Sequence, residues 1–165
     1  MPAALSIRTA LFLIAVGVLS LGAAFGSQYI GGLDPCVLCI YQRYPYGVVI
    51  GLGLLALLAW RQPKVAAGLT LLAAIALFVD AGIAAFHVGV EQHWWEGTAE
   101  CSSLIDPNLS LEELKKILQE QPVVPCDIPA WTMFGISMTG YNFLYAVAAG
   151  LISVVLAFRL SRSTR

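Results

Sequence analysis

The sequence predicts an all-α membrane protein: a bundle of four transmembrane helices with a short amphipathic helix in its second outer loop. Hydrophobic residues make up 59% of the 165 residues and charged residues only 12%, which is far from the composition of a soluble domain. Four stretches approach or exceed the roughly 20 apolar residues that a helix needs to cross a bilayer. These stretches cover about residues 9–30, 36–60, 65–90 and 138–158, so we expect one four-helix domain over residues 1–165.

The first apolar stretch has two interpretations. Arg8 precedes the stretch, and the small residues Gly22, Ala23 and Ala24 would suit the cleavage site of a secretory signal peptide. However, the uninterrupted apolar run is longer than the core of a usual signal peptide. We therefore expect this segment to remain as the first membrane helix.

Basic residues lie on one side of the predicted spans. Lys and Arg near the ends of membrane helices resist translocation and therefore mark the cytoplasmic side. The connection over residues 91–137 holds eight acidic residues against two lysines. The other side carries six basic residues and no acidic residue: Arg8, Arg61, Lys64, Arg159, Arg162 and Arg165. Both termini are therefore predicted to face the cytoplasm.

All four cysteines fall on the outer side in this topology. Cys36 and Cys39 stand where the second span begins, and Cys101 and Cys126 lie in the connection over residues 91–137. An even number of cysteines confined to an oxidising compartment favours disulfides over metal ligation, so no metal site is expected. A bacterial periplasm fits this compartment best, which predicts a multi-pass protein of the inner membrane with its reactive groups on the periplasmic side.

The CxxC pair is predicted to lie at a helix N-terminus. Asp34 is a good N-cap residue and Pro35 suits the first helical position, so Cys36 and Cys39 are expected in about the first turn. The free N–H groups and the positive end of the helix dipole stabilise a thiolate there. The position favours a reactive pair, whereas the alternative is that these cysteines form structural disulfides that staple the outer loops.

Arg43 follows Cys39 by four residues and Cys36 by seven, so the three side chains are expected on nearly one helix face. Basic side chains near helix ends often extend to lipid headgroups. Arg43 is instead predicted to lie about two turns inside the helix, where Pro45 loosens the backbone hydrogen bonding. An arginine at that depth usually has a partner. A quinone carbonyl, which becomes anionic on reduction, would supply one.

The later cysteine pair lies in a loop that is expected to be mobile but tethered. Cys101 and Cys126 are separated by 24 residues, and a disulfide moves between two pairs only by direct thiolate attack. Tethering would let this pair meet a soluble protein and the CxxC in turn. A capping box and helical spacing predict an interfacial amphipathic helix between the two cysteines, formed by Ser110-Leu111-Glu112-Glu113 with Leu114, Ile117 and Leu118. Three tryptophans that flank the loop are expected to anchor it among the lipid headgroups: Trp94, Trp95 and Trp131.

The motif from Cys36 to Arg43, Cys-Val-Leu-Cys-Ile-Tyr-Gln-Arg, together with four spans and a later outer cysteine pair, resembles the disulfide bond formation protein B family, DsbB. The stretch from Trp131 to Asn142 is similar to the start of that family's last span. The resemblance implies a thiol:quinone oxidoreductase that uses ubiquinone or menaquinone from the respiratory pool. Its implied partner is a periplasmic thioredoxin-fold protein of the DsbA type.

The resemblance also implies a route for the electrons. The nucleophilic cysteine of the partner would attack Cys101, and Cys126 would leave and engage Cys36. Cys39 would then be freed as a thiolate and approach the quinone, with Arg43 stabilising the developing negative charge. Electrons would thus pass from the partner to the loop pair, then to the membrane pair and finally to the quinone.

Three further polar residues have open roles. His87 and Glu91, one turn apart near the outer end of the third span, would either handle protons during quinone reduction or form an interfacial hydrogen-bonded pair. Asp80 lies near the middle of an apolar span, where a carboxylate is costly unless it is protonated or paired. It is either a functional proton site or a packing group, in which case a protonated Asp80 is expected to be hydrogen-bonded to a neighbouring helix through Asn142 or a backbone carbonyl. The resemblance does not account for Asp80.

Two other classes of function are compatible with parts of this pattern. A vitamin K epoxide reductase-like enzyme also combines four helices, quinone chemistry and two cysteine pairs, but in that family the loop pair precedes the membrane CxxC. Here the order is reversed, which favours the DsbB type. A non-enzymatic membrane protein would use the four cysteines to bind metal or to staple loops. The sequence contains no phosphate-binding motif and no basic patch suited to nucleic acid.

Overall fold

The computed structural model describes residues 2–98, 101 and 124–163. This part of the chain is mainly helical and also contains one short antiparallel hairpin. Its elements are α1 (Pro2–Tyr29), α2 (Val37–Tyr41), α3 (Arg43–Leu58), α4 (Pro63–Glu91), β1 (Thr132–Met133), β2 (Ile136–Ser137) and α5 (Met138–Arg162). The predicted amphipathic helix over residues 110–118 lies outside the described residues.

Three helices in the described part are long and apolar enough to cross a membrane: Ala3–Tyr29, Pro63–Glu91 and Met138–Arg162. They correspond to the first, third and fourth predicted spans. The second predicted span is divided into α2 and α3, which meet at Gln42. Pro45 has no N–H to donate to the carbonyl of Tyr41, and this missing bond explains why the helix is interrupted here.

Small side chains bring the helices close together. α4 packs along α5, α1 packs along α3, and α3 also contacts α4. Alanines allow close approach of helices where lipid offers no hydrophobic driving force between them. The central core consists of Leu13, Val16, Tyr46, Val49, Ala73, Leu77 and Ala149. Many large apolar side chains point outward instead, for example Leu19, Leu58 and Phe158, as expected of a surface that faces lipid.

The two ends of the bundle differ in chemistry. Leu5, Ala66 and Leu160 pack together where the start of α1, the start of α4 and the end of α5 meet. The basic residues of the α3–α4 turn and of the last turn of α5 belong to this end. At the opposite end, Val90 of α4 packs with the cysteines. These basic residues and the cysteines therefore lie at opposite ends of the bundle.

The hairpin determines where α5 begins. Phe134 and Gly135 link its two strands with φ values of 51° and 78°, the positive values of a type I′ turn. Ser137 then caps α5, because its Oγ accepts a hydrogen bond from the backbone N–H of Gly140 at 3.0 Å. The Ser137 hydroxyl also donates to Glu91. The hairpin thereby ties the first turn of α5 to the last turn of α4.

Candidate functional site

The CxxC pair lies at the N-terminus of α2, but the predicted cap is wrong. The N-cap is Cys36 and not Asp34, because the helix begins at Val37, two residues later than the position of Pro35 suggested. Cys36 has an extended backbone, with φ −70° and ψ 169°, and its Sγ accepts the N–H of Cys39 at 3.3 Å. Both cysteines are free, and their sulfurs lie 3.0 Å apart. The helix N-terminus therefore donates directly to the Cys36 sulfur, which favours its thiolate.

The two sulfurs of the pair face different surroundings. Cys39 lines a cavity together with Arg43 and also packs against a cluster formed by Val90 and the loop cysteines, whereas Cys36 is buried within that cluster and does not line the cavity. The prediction that Cys36, Cys39 and Arg43 share one helix face is therefore wrong for Cys36. The reason is that Cys36 precedes the first helical residue and does not follow helical periodicity. The CxxC consequently connects the cavity to the loop cysteines.

A disulfide joins Cys101 and Cys126, whose Cα atoms are 5.1 Å apart. Both residues are buried, and they pack in the same cluster as Cys36 and Leu38. The hydroxyl of Thr98 donates a hydrogen bond to the Cys101 sulfur at 3.4 Å. The fold therefore brings the predicted site cysteines of both pairs to one end of the bundle.

A cavity of about 440 Å³ lies between α1, the α2–α3 segment and α5. This volume is within the range of small-molecule sites. Its polar lining residues include Cys39, Gln42, Arg43, Tyr46 and Asn142, and also Ser20, Ser27, Asp34, Thr139, Tyr141 and Tyr145. The rest of its wall is mainly apolar and includes Leu19, Leu21, Ala23, Ala24, Leu33 and Met138. Such a cavity suits a largely apolar ligand that presents a small number of acceptor atoms.

Arg43 is held at the wall of this cavity by α1. Its Nη1 donates to Gln28 Oε1 at 2.8 Å, and its guanidinium lies 4.8 Å from the ring centroid of Phe25. Arg43 is the first residue of α3 and not part of a continuous second span, because the helix is interrupted at Gln42. The buried Nε makes no hydrogen bond with any described residue. Arg43 thus retains a buried donor beside the cavity.

His87 and Glu91 lie behind the CxxC, between α4 and α5. Both are buried, and His87 Nε2 is 3.5 Å from Cys36 Sγ and 3.9 Å from Glu91 Oε1. Glu91 Oε1 accepts the hydroxyl of Thr139 at 2.8 Å, and Glu91 Oε2 accepts the hydroxyl of Ser137. Neither His87 nor Glu91 lines the cavity. At 3.9 Å, His87 and Glu91 are too far apart for a direct hydrogen bond. Thr139 Oγ1 lies between them, 3.3 Å from His87 Nδ1 and 2.8 Å from Glu91 Oε1, and His87 also contacts Cys36.

Sequence reasoning missed two polar residues of the site, Gln42 and Tyr46. Gln42 Nε2 donates to His87 Nδ1 at 3.0 Å, and Gln42 Oε1 accepts from Asn142 Nδ2 at 2.7 Å. Tyr46 donates its hydroxyl to Asn142 Oδ1 at 2.6 Å. The expected bond of Asp80 to a neighbouring helix is present, since Asn142 Nδ2 donates to Asp80 Oδ2 at 3.0 Å. A polar side chain within an apolar span was the signal that could have identified Gln42.

The sequence of this chain is similar to those of proteins from one known family. The family model described as Disulfide bond formation protein DsbB matches residues 6–156. A disulfide bond formation protein B of Methylobacillus flagellatus is 32% identical over 152 residues, which cover 89% of this chain and 89% of that protein. An uncharacterized protein of Rickettsia prowazekii is 34% identical over 136 residues, 81% of this chain and 77% of that protein.

A further disulfide bond formation protein B, from Azoarcus, is 28% identical over 162 residues and covers 92% of this chain and 93% of that protein. No solved structure matches the chain. The family model extends from α1 into α5 and includes the CxxC, the loop disulfide and the residues around the cavity. The chain therefore belongs to the disulfide bond formation protein B family, DsbB.

Proposed function

We propose that this protein is a thiol:quinone oxidoreductase of the bacterial inner membrane that reoxidises a DsbA-like dithiol protein in the periplasm. Its family makes it a membrane oxidoreductase of disulfide formation. We further propose that the electron acceptor is a quinone and that the partner is a DsbA-like protein. We also propose that α2 and α3 together form a fourth span and that both termini face the cytoplasm. One observation carries the proposal: Cys39 lines the apolar cavity, while Cys36 packs with the loop disulfide.

The residues around the cavity fit a quinone. Its mainly apolar wall suits a substituted ring, and the cavity is bounded by membrane helices that a lipid-soluble molecule can approach. Arg43 places a cationic guanidinium in the cavity wall, which suits a carbonyl oxygen that gains negative charge. Cys39 places a sulfur in the same wall. A bound quinone supplies an acceptor for two electrons and two protons.

The first exchange opens the loop disulfide. A thiolate of the reduced partner attacks Cys101, the Cys101–Cys126 bond breaks, and Cys126 leaves as a thiolate. Cys126 then attacks Cys36 in the oxidised CxxC, and Cys39 leaves as a thiolate. The packing of Cys36 with both loop cysteines supports this order, because Cys36 is a buried member of the loop-disulfide cluster, whereas Cys39 packs against that cluster and also lines the cavity.

The second exchange frees the partner in its oxidised form. The second thiol of the partner attacks its mixed disulfide with Cys101, and Cys101 leaves as a thiolate. Cys101 then attacks Cys126 in its disulfide with Cys36, Cys36 leaves as a thiolate, and the loop disulfide is restored. Cys36 and Cys39 remain as the reduced pair, which is the combination of bonded and free cysteines in this structure. Oxidation of this pair by two electrons, with loss of two protons, re-forms the CxxC disulfide and completes the cycle.

Groups around Cys36 assist these steps. The backbone N–H of Cys39 and the imidazole of His87 lie 3.3 and 3.5 Å from its sulfur. Donors at these positions stabilise the thiolate when Cys36 acts as leaving group or nucleophile. Arg43 is held by Gln28 on the other side of the CxxC. The pair is thus placed between a donor cluster and a cationic cavity wall.

The proposal is tested by turnover of the purified protein in lipid nanodiscs with added quinone and a reduced thioredoxin-fold dithiol protein. We expect quinone-dependent oxidation of the dithiol, and we expect Cys39→Ser and Cys101→Ser each to abolish it. The relay is wrong if either cysteine pair can be removed while the rate is retained. Cysteines that keep the same redox state throughout turnover would instead support purely structural disulfides.

A further inference from the structure

We infer that Asp80 sets the direction of a buried hydrogen-bond chain that ends on Cys36, and that Asp80 is therefore a positioning residue for this thiol. Asp80 belongs to α4 and has no exposed surface. From its Oδ2 atom the chain passes through Asn142, Gln42 and His87 to the Cys36 sulfur. The role in catalysis rests on the proposed function, whereas the direction of the chain rests on the described contacts alone.

The first link orients the amide of Asn142. A carboxylate can only accept hydrogen bonds, and Asp80 Oδ2 lies 3.0 Å from the terminal amide of Asn142. The amide must therefore turn its NH₂ group toward Asp80. Its oxygen then faces Tyr46, whose hydroxyl donates to it at 2.6 Å. A hydroxyl can donate or accept, so Tyr46 follows the orientation of Asn142 and does not impose it.

The second link transmits this orientation to His87. The NH₂ group of Asn142 also donates to Gln42 Oε1 at 2.7 Å, which leaves Gln42 Nε2 directed at His87 Nδ1 at 3.0 Å. An amide NH₂ can only donate. His87 Nδ1 must therefore be the nitrogen with the lone pair, and the ring proton of the neutral imidazole resides on Nε2.

The third link places that proton against the reactive sulfur. His87 Nε2 faces two acceptors, Cys36 Sγ at 3.5 Å and Glu91 Oε1 at 3.9 Å. Thr139 Oγ1 also lies 3.3 Å from His87 Nδ1, but its hydroxyl donates to Glu91 Oε1 at 2.8 Å. Thr139 therefore offers no hydrogen to Nδ1 and does not oppose this tautomer. If the donors and acceptors along the chain were reversed, His87 Nε2 would instead present a lone pair to the Cys36 thiolate.

The acceptor at the far end is what makes the direction unique. Two consecutive amides, Asn142 and Gln42, form the same number of hydrogen bonds in either direction, because each has one donor group and one acceptor group. An ionised Asp80 removes this degeneracy, since a carboxylate cannot donate to Asn142, whereas a protonated carboxyl group could. A carboxyl group in an apolar span is costly to bury. The directed chain to Cys36 supplies a reason for its presence there.

The tautomer of His87 is the direct test. Nitrogen-15 NMR of histidine-labelled protein in nanodiscs, without quinone or partner, distinguishes a protonated from an unprotonated ring nitrogen. We expect a single Nε2–H tautomer in the parent protein and a mixture of tautomers in both Asp80→Asn and Asp80→Leu. Thr70→Val is the matched control on α4, because the buried Thr70 hydroxyl donates to Ala66 O of its own helix at 2.7 Å. It should leave the tautomer unchanged.

Thiol reactivity provides the second readout. In a Cys39→Ser background, where serine keeps a hydroxyl donor next to Cys36, alkylation of Cys36 near neutral pH should slow about tenfold on Asp80→Asn, as expected for the loss of one hydrogen bond to a thiolate. When His87 is replaced by Phe, Asp80→Asn should have no further effect. A merely structural role of Asp80 would slow alkylation equally in both backgrounds.

The inference is overturned by an Nδ1–H tautomer or an imidazolium in the parent protein, or by an Nε2–H tautomer that persists in both Asp80 variants. It is also overturned if Asp80→Asn slows alkylation equally with and without His87. Neither readout requires turnover. A protein that shows the expected tautomer but oxidises no dithiol with quinone would therefore refute the proposed function and leave the role of Asp80 intact.

Discussion

Replacing Arg43 with Ala is expected to raise the KM for quinone about 30-fold while the KM for the dithiol partner stays unchanged. Arg43 lies in the cavity wall, and its Nε has no hydrogen-bond partner among the described residues. A hydrogen bond from a charged donor contributes about 1.5–3 kcal/mol, and each 1.4 kcal/mol corresponds to a factor of ten in an equilibrium constant. A loss of about 2 kcal/mol therefore corresponds to roughly 30-fold. The contacts of Arg43 with Gln28 and Phe25 are lost from the free and the loaded protein alike.

Steady-state kinetics with quinone and partner varied separately measure the two KM values. Arg43→Lys should fall between the parent and Arg43→Ala, because lysine retains the charge but not the planar fork of donors. Arg61→Ala is the matched control, since Arg61 stacks on Trp60 at the opposite end of the bundle, with 4.7 Å from the guanidinium to the ring centroid. An unchanged KM for quinone in Arg43→Ala would refute the assignment, as would an equal rise in the KM for the partner.

Three further substitutions test the packing that supports the site, each by thermal unfolding in nanodiscs. Gly89→Ala should destabilise the protein by about 1–3 kcal/mol, because the indole of Trp95 occupies the space that a Cβ would need. The substitution should also change the tryptophan fluorescence, and an unchanged spectrum would contradict this contact. Asn142→Leu should cost about 2–3 kcal/mol, since it leaves Asp80 without its amide donor, and a neutral effect would contradict the buried network. Gly135→Val should cost about 1–2 kcal/mol because φ is 78° there, and a stability equal to the parent would exclude the positive-φ turn.

Local signals in the sequence were sufficient for part of the site. The position of the CxxC near a helix N-terminus was predictable because Pro35 and the apolar run after it are local features. The partner of Asp80 was predictable because a buried carboxyl group must find a donor, and Asn142 is a polar residue on another apolar helix. The separation of the cysteines from Arg61, Lys64, Arg159 and Arg162 followed from the charge distribution.

Other features depended on geometry that residue spacing does not contain. Helical periodicity placed Cys36 on the face of Cys39, but Cys36 is the N-cap and has an extended backbone. Pro45 indicated that the helix would be interrupted near this point. The exact position of the interruption, at Gln42, depends on which backbone hydrogen bonds form around the proline. The contact of Gln42 with His87 depends on how α3 and α4 are rotated about their own axes. Side-chain spacing along one helix does not define that rotation.

The central claim is that the CxxC pair itself passes electrons to quinone, and an anaerobic single-turnover measurement tests it most directly. The loop cysteines Cys101 and Cys126 are both replaced by Ser, the protein is fully reduced, and one equivalent of quinone is added. The account predicts that one quinone is reduced per protein and that Cys36 and Cys39 both become resistant to alkylation in mass spectrometry, whereas a protein that also carries Cys39→Ser reduces none. Quinone that stays oxidised while both thiols remain alkylatable would contradict the account.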